Sequence, residues 1–183
     1  MNKKEIIENL EKVYGDFSDF ISSLNEDQFL FSPSPEKWTS GQQAKHLLMS
    51  IKPLNLALSL PDWFLKMYVG KANRPSKTYE ELVEKYKFRL GQGGTASSSY
   101  IPKEVPVKSQ RIITNQINTN IEKLCRKLDK YSEEKLDRLI LPHPLLGKVT
   151  IREMMYFTIH HARHHHNSIE QNLQSKLSST TSL

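Results

Sequence analysis

The 183 residues contain a single cysteine, Cys125. That excludes an intramolecular disulfide framework and fits a reducing compartment, here the cytoplasm. It also excludes a thiolate-rich zinc site, and within a helical pattern Cys125 itself reads as a small core residue. Long apolar runs are missing as well, so no segment is expected to span a membrane. The opening residues, MNKKEIIENLEK, are charged from the second position and hold no apolar h-region, so no signal peptide is expected. There is no block of like charge. The net charge is +6, but bases alternate with acids in EKLCRKLDK and SEEKLDRL, the pattern of solvated helix faces, and no nucleic-acid partner is expected. No internal repeat and no convincing strand alternation occur.

What is present is helical periodicity. A composition of 37% hydrophobic and 25% charged residues suits one soluble globular domain. Ile6, Leu10, Val13, Phe17, Phe20 or Ile21, and Leu24 recur with the spacing of an amphipathic helix. After the proline-punctuated FSPSPEKW, Thr39 to Gln42 form a capping box that should start a second helix through His46, Leu47, Leu48, Ile51 and Leu54, kinked or ended by Pro53. Across residues 60–106 the pattern degrades. Thr78 to Glu81 can cap a short helix, and RLGQGGTASSSYIPKEVP reads as a loop that is either the wall or lid of a pocket, or disordered. Ile113, Ile117, Ile121 or Asn120, Leu124 and Leu128 predict a third helix over about 107–130. SEEKLDRLI adds a turn or two capped by Ser132, LPHPLLGK is a proline and glycine turn containing His143, and Thr150 to Glu153 cap a fourth helix. The expected fold is all-α: a four-helix bundle with a long loop-rich connection between its second and third helices. It occupies residues 1–173, with a disordered tail over 174–183.

That fourth helix, IREMMYFTIHHARHHHNSIEQNL, holds five of the seven histidines. At about 100° per residue, Ile151, Met155, Thr158, Ala162, Ile169 and Leu173 form an inward stripe. His161 and His165, four residues apart, lie along its edge, where both can reach one ion. His160 and His164 fall on the opposite side, and with His166 they read as rim or surface residues. Bundle cores build metal sites from facing helices, and His46 is the best source of a third ligand, being the only histidine before His143. Three neutral imidazoles suit Zn²⁺ or Ni²⁺, or Fe²⁺ and Mn²⁺ with added waters, and leave a coordination position open. On the residues alone, satisfied core and surface histidines remain an equal alternative. Gln42 or Gln43 can orient a ligand, Trp38 reads as a staple beneath the second helix, and Trp63 as a weak candidate for a pocket wall.

The order Trp38-Thr39, Gln42, His46-Leu47, then His143-Pro144, Gly147, Val149-Thr150 and Glu153, then His161-Ala162-Arg163-His164-His165 and Ile169 resembles the DinB-like (YfiT-like) family across about residues 1–173. The resemblance implies a four-helix bundle, often a homodimer, with a three-histidine divalent metal site at one end. It places His46, His161 and His165 as ligands, with Gln42, His143 and His164 as candidates for a surrounding shell or pocket and the catalytic residues unassigned. The sequence departs from the family at His166, Asn167 and Ser168, where members often carry Gln or Gly. Characterised relatives include transferases that activate a low-molecular-weight thiol on the metal. Transfer of such a thiol to an electrophilic small molecule is therefore the leading expectation. The alternatives are a metal-dependent hydrolase, for which the fourth helix offers no HExxH glutamate, and a non-catalytic metal-binding or dimerisation module.

Overall fold

The computed structural model describes residues 1–180. Four long helices dominate it: α1 (Lys3–Ser23), α3 (Ser40–Ala57), α6 (Gln110–Asp129) and α8 (Ile151–Thr180). Shorter helices lie between them: α2 (Glu26–Phe29), α4 (Asp62–Tyr68), α5 (Tyr79–Gly91) and α7 (Glu133–Arg138). Helix α1 packs on α6 and α8, and α3 closes the square against the same two. This is the expected four-helix bundle. The stripes read from periodicity are the buried ones: Ile6, Leu10, Phe17 and Ile21 on α1, Ile117 and Leu124 on α6, Ile151, Met155 and Ile169 on α8. Each such side chain contributes about 1.5–3 kcal/mol on leaving water. None of the helices among the described residues is long and apolar enough to cross a membrane.

Caps set the helix starts as expected. Thr39 with Gln42, and Thr78 with Glu81, exchange side-chain and backbone hydrogen bonds. Thr150 and Glu153 do the same at the start of α8. Pro53 neither ends α3 nor leaves it, since the helix runs on to Ala57. Gly41 allows a close approach: a Cβ there would fall 2.5 Å from the Phe29 ring.

One expectation is corrected. LPHPLLGK is the tip of a hairpin, not an isolated turn. Strands β1 (Ile140–His143) and β2 (Gly147–Thr150) pair antiparallel from Ile140↔Thr150 to His143↔Gly147. Four-residue strands with Pro142 inside one of them leave too short an alternation to read, and Gly147 takes the positive φ (76°) the turn requires. Residues 174–180, part of the expected tail, continue α8. Ser175 and Ser178 hydroxyls donate back to the Asn172 and Gln174 carbonyls, and Lys176 Nζ lies 5.0 Å from the Phe31 ring centre. The rest of that expected tail, 181–183, lies outside the described residues. The 60–106 region holds α5, the short helix expected from the Thr78 cap, and α4, which was not expected, and its glycine- and serine-rich part is a wall of the cavity described below.

Candidate metal centre

His46 projects from the middle of α3, and His161 and His165 from successive turns of α8. All three are buried. The Nε2 atom of His161 lies 3.1 Å from Nε2 of His46 and 3.1 Å from Nε2 of His165. No other cluster of three or more His, Cys, Asp or Glu among the described residues comes together in this way. The i, i+4 spacing on α8 supplies two rings on one face. The packing of α3 against α8 brings the third across the bundle.

Hydrogen bonds on the far side of two rings fix their tautomers. His46 Nδ1–H donates to the Tyr100 carbonyl at 2.7 Å, and His165 Nδ1–H donates to Gln43 Oε1 at 2.9 Å. The lone pairs of both Nε2 atoms therefore face His161. His161 carries one ring proton for two facing acceptors, and its own Nδ1 is buried with no partner. Whichever nitrogen holds that proton, at least one 3.1 Å contact sets lone pair against lone pair. A cation among the three Nε2 atoms removes this conflict. The donor set fits one: a tetrahedral ion with Zn–N of about 2.0–2.1 Å spaces its ligands about 3.3 Å apart. The three residues could thus hold a divalent metal ion.

Burial keeps the ligands deprotonated. It lowers the pKa of His46, and lowers those of His161 and His165 well below the ordinary imidazole value, with neighbouring histidines adding to the effect on the latter two. Protons then compete weakly with a metal at neutral pH.

A cavity of about 350 Å³ opens on the three rings. Its walls are mostly apolar, with Leu54, Tyr86, Leu90, Leu141, Met154 and Phe157 among them, and Gly94 to Ser97 and Tyr100 close one side. The loop therefore acts as a wall, and the Tyr100 carbonyl ties that wall to a candidate ligand. Trp38 is part of the cavity rather than a buried staple: its ring lies 4.8 Å from that of His46 and nearly parallel to that of His165 at 6.4 Å. Phe157 stacks over His161 at 4.8 Å.

The remaining candidates divide. Gln42 is corrected: its side chain accepts from the Thr39 amide and caps α3, and the glutamine that reaches a candidate ligand is Gln43. His143 does reach the cavity, and burial pushes its pKa down to about 4. His164 is exposed and sits at the cavity rim. His160 stands edge-on to Tyr86, and His166 stacks on Phe20 at 4.4 Å, away from the site. Trp63 is 63% exposed on α4 and takes no part in the cavity wall. Glu153 does more than cap α8. Its carboxylate, wholly buried, also accepts from both terminal nitrogens of Arg74 and from the Lys77 amide.

No curated protein matches the chain in sequence. The model of the DinB superfamily matches residues 9–169, a span that includes all three clustered histidines, the whole of α3 and α6 and most of α1 and α8. The chain belongs to the DinB superfamily.

Proposed function

We propose that the protein is a metal-dependent enzyme that transfers a low-molecular-weight thiol to an electrophilic small molecule. The observation that carries the reading is the unresolved donor count at three converging Nε2 atoms that open on a mostly apolar cavity. Zn²⁺ or Ni²⁺ is the metal proposed. Bound by three neutral imidazoles, it keeps its full charge and lowers the pKa of a thiol. The chain's own part is positioning: Gln43 and the Tyr100 carbonyl hold two rings, and Trp38 and Phe157 shield the site from water.

The cavity wall favours thiol transfer over hydrolysis. No carboxylate lines it among the described residues, so hydrolysis has no carboxylate base to draw on there, whereas a thiolate is already a nucleophile. The cavity itself argues against a purely structural module, because a structural site is closed by four protein ligands. A cytoplasmic setting and a homodimer complete the proposal. The dimer is checked by sedimentation equilibrium.

The test is thioether formation between a small thiol and 1-chloro-2,4-dinitrobenzene, in which sulfur displaces chloride. Zinc- or nickel-loaded protein should accelerate it at least a hundredfold over His46→Ala. Equal rates would refute transfer. Thiol-independent cleavage of a nitrophenyl ester would point to the hydrolase instead.

A further inference from the structure

His143 sits at the end of β1, where the hairpin turns, and lines the cavity. Its Nδ1 accepts the backbone N–H groups of both Leu145 and Leu146, each at 3.1 Å. A nitrogen that accepts two amide protons carries none itself. The ring proton is therefore on Nε2, and the turn holds it there. The ring is also fixed in place, packed edge-on against Phe157 at 4.2 Å, with Phe157 in turn stacked on His161. Burial keeps the imidazole neutral. The hydroxyls of Ser50 and Thr158, also on the wall, already donate to the Leu47 and Met154 carbonyls.

We propose that His143 is a preset hydrogen-bond donor to substrate, its Nε2–H selecting apolar molecules that carry one acceptor oxygen, such as an aryl or conjugated ketone, inside the cavity beside the three clustered histidines. The inference rests on the functional reading above for the role of the cavity, and names the substrate class. An apolar wall excludes water from the contact, so a donor fixed in advance costs little to engage and much to leave unmet. A thiolate adding to the β-carbon of a conjugated ketone moves an electron pair onto the carbonyl oxygen. A neutral N–H donor at that oxygen stabilises the charge before the α-carbon takes a proton from water.

The test is equilibrium binding of two probes of nearly equal shape, 2-acetylnaphthalene and 2-ethylnaphthalene, followed through tryptophan fluorescence. The native protein should prefer the ketone about tenfold. His143→Asn offers an acceptor oxygen close to the Nδ1 position, so the turn is kept and the far N–H is lost. It should bind 2-ethylnaphthalene within twofold of the native protein and show no preference. Nitrogen-15 spectra of the imidazoles should show His143 with its proton on Nε2. A proton on Nδ1, a ketone preference that survives His143→Asn, or no binding of either probe would overturn the proposal. Metal content, measured on the same samples, separates the two readings. Stoichiometric metal without ketone preference removes only the role of His143, and ketone preference without metal removes only the metalloenzyme.

Discussion

At the level of single residues, the site depends on groups that hold imidazoles from behind. Gln43 is buried and its Oε1 takes the Nδ1–H of His165. Partners of this kind set tautomer and ring angle, and their loss typically costs 10–100-fold in metal affinity. Gln43→Leu should therefore weaken zinc binding by about that factor in a competition titration with a chromogenic chelator. It should also lower stability by roughly 1–3 kcal/mol, because His165 is left with a buried unpaired donor. Gln42→Leu removes only half of a capping box and should leave zinc affinity within about twofold. Sequence patterning identified His161 and His165 because a helix puts i and i+4 on one face. It could not choose between Gln42 and Gln43. Neighbours on a helix point about 100° apart, and which of them faces α8 depends on the packing of α3 against it. Trp38 was legible only as an aromatic before a helix, since nothing local says that its ring meets two imidazoles from different helices.

Among the elements, the long helices announced themselves, as did the capped α5 and α7, while α4 and the hairpin did not. Apolar repeats, with capping boxes at the starts of α3 and α8, were enough for α1, α3, α6 and α8. The hairpin is held by long-range terms, including Lys85 Nζ donating to the Leu146 carbonyl and the Ile151 amide donating to Leu139 O. Neither leaves a pattern in sequence. The loop from Gly94 to Tyr100 could be read as a wall, a lid or disorder, and nothing in the sequence chose among them, because its bond to the site is a backbone carbonyl, which every residue has. The segment between α4 and α5 is fastened by the buried Glu153. Its carboxylate accepts from Arg74, Lys77 and Thr150, and these bonds hold its pKa below the usual carboxylate range against the upward push of burial. Arg74→Ala should destabilise the fold by roughly 2–4 kcal/mol in urea unfolding, since it strands a buried carboxylate that keeps only amide donors. Arg74→Ala combined with Glu153→Gln should recover part of that loss. Additive effects would show that the pair does not act as a unit.

The whole molecule is a square of helices whose core is apolar along most of its length and turns to imidazole where α3 and α8 meet. Stability comes mainly from the apolar part. The chain can therefore hold three buried histidines in conflict and still fold, and a metal that relieves the conflict should add stability in proportion to its occupancy. The measurement that bears most directly on this account is elemental analysis of tag-free protein, purified without immobilised metal, beside the variants His46→Ala and His161→Ala. The account predicts about one equivalent of zinc or nickel per native chain, lost in both variants while helical circular dichroism is retained. No stoichiometric metal in the native protein, or metal that survives both substitutions, would contradict it.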